Sequence, residues 1–192
     1  SNELFIRSLR YLIFLKKDSS NMNYKFIDVG TGAGIPSIPI KIFYPEISLS
    51  LCEPSQKKCS FLEEVIKNLN LSNVNIENER AENLGQSSKR ESYDFVLTRA
   101  LAKLPTLAEL TLPLAKVGGK VITAKGKFPK VEIVESNYIS EILGSKKTLV
   151  EKVTIPNSLP ADHFIIWEKY KSTPENFPRR NGIPKKRPIV SE

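Results

Sequence analysis

At 192 residues and 21.6 kDa, with 40% hydrophobic and 26% charged residues, the chain has the size and composition of one globular domain able to bury a core. Its apolar runs, such as 11–15 and 164–167, are too short to cross a bilayer. One histidine (His163) and two cysteines (Cys52 and Cys59) exclude His–Cys zinc sites, paired-His metal sites and a disulfide framework, so no metal is expected and the cysteines read as reduced cytoplasmic thiols. The net charge of +8 is uneven: residues 169–192 hold seven basic side chains against Glu175 and Glu192. An acidic partner meeting the C-terminal end is expected, with nucleic acid first and an anionic membrane second.

In chain order, 4–17 carries apolar residues broken by Arg7 and Arg10, which reads as a docking helix rather than a targeting segment. From Tyr24 onward short β-rich runs at 25–29, 48–52, 74–78, 93–97 and 120–124 alternate with helical runs at 36–44, 55–70, 104–115 and 130–143. That alternation predicts a parallel sheet with right-handed crossovers. Two further β-type runs, 148–155 and 163–170, lack a helix between them and predict an antiparallel hairpin at the sheet edge. Beyond Lys171 the chain is rich in proline and basic residues, and an extended or mobile tail is expected there, separate from any strand end that forms a pocket.

The stretch Asp28-Val29-Gly30-Thr31-Gly32-Ala33-Gly34-Ile35-Pro36 follows the first strand. Glycines there permit positive φ and close approach of a ligand to the backbone. A dinucleotide fingerprint needs a third glycine where Ile35 stands, so the spacing suits a ligand without a pyrophosphate. Glu53 ends the second strand, where an acid can accept from both ribose hydroxyls of an adenosine, although a solvated strand-end acid reads the same way. Arg80-Ala81-Glu82 and Thr98-Arg99-Ala100 end the third and fourth strands, and Lys125 ends the fifth, where it either touches a phosphate or closes the rim. Cys52, Cys59 and His163 read as structural.

The order Asp-Val-Gly-Thr-Gly-Ala-Gly-Ile-Pro-Ser-Ile-Pro, Arg-Ala-Glu, Tyr-Asp and Thr-Arg-Ala, followed by 178–188, resembles the S-adenosylmethionine-dependent 16S rRNA guanine-N7 methyltransferases, the glucose-inhibited division protein B family. The resemblance covers roughly 24–189. It implies a doubly wound α/β fold with a mostly parallel seven-stranded sheet, of the Rossmann-like class I S-adenosylmethionine-dependent type. Residues 24–171 would form the cofactor-binding domain, 1–23 a helical segment truncated from a longer cap, and 172–192 a basic Pro-rich tail. The chain also starts without Met, so upstream residues are expected to be missing.

Carried over position by position, the resemblance places Gly30, Gly32 and Ile35 at the methionine and ribose end of the cofactor, with Glu53 standing where relatives carry Asp. Ala81 and Glu82 would hold the adenine side, and Arg99 would line the pocket near cofactor or guanine. Ser8 and Tyr11 stand where the family carries a His and an Asp. Lys125, Arg179, Arg180, Lys185, Lys186 and Arg187 would bind RNA, with 16S rRNA or the small ribosomal subunit as partner and a cytoplasmic monomer, free of membrane, as the expected state. Rival readings are a methylase of another substrate and a non-catalytic RNA-binding module on the same fold.

Overall fold

The computed structural model describes residues 2–15, 23–154 and 160–190. Five parallel strands form most of one sheet: β1 (Lys25–Val29), β2 (Ser48–Cys52), β3 (Val74–Glu77), β4 (Tyr93–Arg99) and β5 (Ala115–Lys125). The edge hairpin β6 (Leu149–Val153) and β7 (Asp162–Glu168) adds through antiparallel pairing of β7 with β5. The resulting order, β3-β2-β1-β4-β5-β7-β6, reverses direction between β1 and β4. In such sheets the crevice outside the carboxyl ends at the reversal is where ligands bind.

Both faces of the sheet are covered, which is why β1 reads as a continuous apolar run rather than an alternating one. On one face Ile27, Val29, Val96, Val121 and Trp167 pack against α5 (Leu104–Thr111) and α6 (Lys130–Ile142). On the other, Phe26, Leu49, Leu97, Ile122 and Phe164 pack against α2 (Ser37–Phe43) and α3 (Gln56–Asn68). In α3 the buried Cys59 and Leu62 and the partly buried Val65 and Ile66 recur at helical spacing on one side. The helix expected over 104–115 stops at Thr111, because Pro113 has no N–H to continue the ladder and the chain turns directly into β5.

The N-terminal segment docks as a helix, α1 (Asn2–Leu9), followed by a 3₁₀ turn at Arg10–Phe14. Arg7 and Arg10 both pair with the buried Asp162 at the start of β7. The Tyr11 hydroxyl donates to Thr98 O at 2.8 Å and accepts from Ala124 N at 3.1 Å, bolting the segment across the ends of β4 and β5. Burial pushes the Tyr11 phenol well above its ordinary pKa, so it keeps the proton it donates. The last residues expected in this helix (16 and 17) and part of the hairpin loop (155–159) lie outside the described residues.

The stretch beyond Lys171 is neither free nor extended away from the domain. Thr173, Phe177, Pro178 and Pro184 are buried, and a single helical turn, α7 (Ile183–Lys186), forms within it. Its root is fixed by the buried Lys169, whose ammonium donates to Leu112 O, Ala115 O and Thr173 Oγ1. Arg90 then donates to the carbonyls of Thr173 and Phe177. A segment that is basic and Pro-rich in sequence therefore closes over the domain as a strap.

Candidate cofactor site at the strand ends

Each strand end contributes one piece of the site. After β1 the chain turns sharply, with Gly30, Gly32 and Gly34 at φ of +70°, +60° and +82°. The Gly30 and Thr31 N–H groups both donate to Cys52 O, at 2.9 and 3.2 Å, and so fasten the loop to the end of β2. A Cβ on Gly34 would collide with Ile38 and press on Leu62, whereas one on Gly32 would meet nothing within 4 Å. Gly34 is thus required by packing behind the loop, while Gly32 faces open space.

Asp28 organises this turn from beneath. It is fully buried, and its Oδ2 accepts from Thr31 Oγ1 at 2.7 Å. Burial pushes its carboxyl up to about 6, against the lowering effect of hydrogen bonds from Thr31 and Ser37. Glu53, 4% exposed, reaches over from the end of β2. Its Oε2 accepts from Gly32 N at 3.1 Å and its Oε1 from Ser55 N at 3.0 Å, with Lys58 Nζ 3.5 Å away. The acid expected to hold a ribose thus also latches the glycine loop.

At the end of β3, Ala81 and Glu82 open the short helix α4 (Ala81–Leu84), and both are buried. Glu82 Oε1 accepts the Gly182 N–H of the strap at 2.8 Å. At the end of β4, Ala100 adopts φ of +53°, a conformation that is costly for a residue with a side chain. The turn it makes brings Leu101 over the loop, where a Cβ on Gly30 would lie 2.6 Å from Leu101 Cδ1. Arg99 is half-buried, and its Nη1 has no hydrogen-bond partner among the described residues.

These ends converge on a cleft of about 180 Å³ lined by Gly30, Cys52, Ala81, Glu82, Leu101 and, from the strap, Gly182 and Lys185. Small-molecule pockets are typically roughly 300–1,000 Å³, so this cleft is smaller than one that encloses a whole ligand, and Gly30 of the glycine loop stands in its wall. Of the residues expected from sequence, Gly30, Ala81 and Glu82 line the cleft; Gly32 and Glu53 meet beside it; Ile35 and Arg99 are not among its walls. The residues suit S-adenosylmethionine. Small side chains leave room for a flat ring, Glu53 and Glu82 offer acceptors to hydroxyl and amino groups, and Arg99 holds a donor in reserve.

Two expectations change, and Lys125 takes one of its two readings. Lys125 Nζ donates to Ala102 O at 3.1 Å and to Glu132 Oε2 at 2.9 Å, and the same carboxylate oxygen accepts from Leu104 N. It ties the rim together rather than facing a phosphate. Arg179 does not project to solvent as a phosphate contact, because it forks onto Glu109 (Nε–Oε1 2.8 Å, Nη2–Oε2 2.6 Å), and Glu109 is 1% exposed. The strap is not separate from the pocket, since Gly182 and Lys185 stand in its wall. Sequence reasoning also missed Leu101 and Gly182, which have no signal of their own.

Cys52 lines the cleft, but burial pushes its thiol up to about 12, which removes it as a thiolate nucleophile at neutral pH. His163 pairs in register with Lys125 on the neighbouring strand and lies against the Phe128 ring, 5.5 Å between centroids. Among the described residues no group of three or more His, Cys, Asp or Glu is placed to hold a metal, and no helix is long and apolar enough to cross a membrane.

The fold is that of the class I S-adenosylmethionine-dependent methyltransferases. M. jannaschii TYW2 in complex with AdoMet aligns over 88% of this chain and 77% of its own at a TM-score of 0.62 and 17% identity. Precorrin-6y C5,15-methyltransferase from Geobacter metallireducens aligns over 82% of this chain and 86% of its own, with a TM-score of 0.58 and 16% identity. The family GidB, rRNA small subunit methyltransferase G, matches residues 2–159. Ribosomal RNA small subunit methyltransferase G of Carboxydothermus hydrogenoformans is 40% identical over 186 residues, 96% of this chain and 77% of that protein. Its counterpart in Desulforamulus reducens is 43% identical over 165 residues, 85% of this chain and 69% of that protein. The chain belongs to the rRNA small subunit methyltransferase G family, enzymes that transfer the methyl of S-adenosylmethionine to N7 of a guanosine in 16S rRNA.

Proposed function

We propose that the strand ends divide that reaction as follows: Gly30, Gly32, Ile35 and Glu53 hold the methionine and ribose end of the cofactor, Ala81 and Glu82 its adenine end, and Arg99 the reacting face. The observation that carries this assignment is the convergence of four successive strand ends on one cleft at the reversal of strand order, with Gly30, Ala81 and Glu82 in its wall; Ile35 and Arg99, outside that wall, rest on the family's pattern. S-adenosylmethionine supplies a sulfonium methyl when bound. Guanine N7 carries an in-plane lone pair at neutral pH, so no base has to remove a proton before it attacks. The protein's task is then to orient two reactants and exclude water. A site with a protonated Cys52 and no imidazole in the cleft's wall is adequate for that.

The exposed Arg180, Lys186 and Arg187, outside the cleft's wall, supply the grip on the rRNA backbone. The two buried free cysteines support a reducing, cytoplasmic setting.

The test is to incubate small subunits and naked rRNA from cells lacking the enzyme with cofactor, then to map N7-methylguanosine by mass. The wild type should modify one guanosine. Glu53→Gln should weaken cofactor binding by roughly 1–3 kcal/mol, because charge-assisted bonds become neutral ones. Arg99→Ala should lower turnover at saturating cofactor. A Glu53→Gln protein with wild-type affinity, or an Arg99→Ala protein with wild-type turnover, removes that residue from the site.

A further inference from the structure

The strap is attached to the two helices that carry the cleft. On α4, Glu82 accepts the Gly182 N–H at 2.8 Å, and just beyond it Gln86 Nε2 donates to Pro178 O at 2.9 Å. On α5, Glu109 accepts three N–H groups of Arg179, backbone and guanidinium together, and Thr106 Oγ1 donates to Pro184 O at 3.1 Å. Glu109 sits inside a helix buried on every side, where an unmatched carboxylate is costly, so Arg179 is held there by more than a surface pair. Between these two anchors, Gly182 takes φ of +78° and turns the chain so that it and Lys185 face the cleft.

We infer that the strap is the outer wall of the cofactor cleft, with Arg179 and Glu109 as the positioning pair that holds it and Lys185 as a residue that meets the cofactor. The inference rests on the cofactor assignment above. Its physical content is preorganisation: a wall already held in place does not have to be ordered when the cofactor binds, and releasing it returns that ordering cost to the binding step. Lysine at 179 would keep the charge but lose the planar fork that matches the carboxylate.

The experiment is calorimetric binding of S-adenosylmethionine to the full chain and to Arg179→Ala, Arg179→Lys, Glu109→Gln and Lys185→Ala. Trypsin cleavage within 179–187 is timed with and without cofactor. Freeing the strap by Arg179→Ala should weaken cofactor binding roughly tenfold, with Arg179→Lys between it and the wild type. Cofactor should slow cleavage of the wild-type strap and protect the Arg179→Ala strap far less. Lys185 is exposed and holds no hydrogen bond or ion pair among the described residues, so Lys185→Ala stays folded and reads the wall even if the buried pair proves indispensable to folding. Weaker binding in either Arg179→Ala or Lys185→Ala, in protein that still unfolds cooperatively, supports the wall. Unchanged affinity in both, or a strap that cofactor does not protect, overturns it. A wild type that binds no S-adenosylmethionine overturns the cofactor assignment and this inference with it.

Discussion

Asp28 shows how one buried carboxylate sets both the shape of the site and a pH dependence. It lies under the glycine turn, and folding moves its carboxyl from an ordinary 3.8 up to about 6. Between those values the folded state binds the proton more tightly than the unfolded chain. Its contribution to stability is therefore most favourable below about 4, declines as pH rises to about 6 and is constant above that. Asp28→Asn, which keeps an acceptor for Thr31 without the charge, should flatten this part of the stability–pH curve. Denaturant unfolding of both proteins at pH 4, 5, 6 and 7 measures it, and parallel curves would mean that Asp28 does not titrate in that window. The acid itself is plain in the sequence, two residues before the first turn residue. Its burial is not, because that depends on Thr31 and Ser37 folding over it.

Elements were legible where their signal is local. β1 and β2 occupy the runs at 25–29 and 48–52, because β-rich apolar stretches bounded by turn residues have few alternatives in a chain of this pattern. The strap was not legible, because Pro and basic residues describe what a segment does alone and not what waits for it. Arg179 finds Glu109 70 positions earlier, and Gly182 finds Glu82 100 positions earlier.

The strap's two sides make separate predictions. Arg180, Lys186 and Arg187 are exposed and stand outside the cleft's wall. Changing these three to Ala should weaken RNA binding and flatten the log–log salt dependence by about 0.7–0.9 for each phosphate that is no longer neutralised. A salt titration of RNA binding by both proteins checks it. An unchanged slope would leave these cations as solvation only.

The molecule as a whole is a sheet packed on both faces with its crevice at the carboxyl ends of the strands, so cofactor binding draws on the same strand ends that close the core. A ligand that binds only the folded state at 100 times its Kd adds about 2.7 kcal/mol. For a domain of this length that corresponds to a rise in Tm of roughly 5–10 °C, which differential scanning at increasing S-adenosylmethionine would read. Arg99→Ala should retain most of this rise, since Arg99 is assigned to the reacting face, whereas Glu53→Gln, at the ribose and latching the glycine loop, should lose part of it at the same cofactor concentration. An equal rise in wild type and Glu53→Gln would argue against the ribose role.

By itself the sequence determined the class of fold, the glycine turn after β1 and the acids at the ends of β2 and β3. These are written in short-range periodicity and in residue types with few conformational alternatives. Only the tertiary structure decided that Glu53 latches the loop, that Lys125 ties the rim and that the basic tail becomes a wall. Each of those outcomes needs a charged side chain to meet groups that its neighbours in sequence do not specify, Gly32 for Glu53, Ala102 for Lys125 and Glu109 for Arg179. The cost of leaving such a charge unmatched is set by the folded environment and not by its neighbours in sequence.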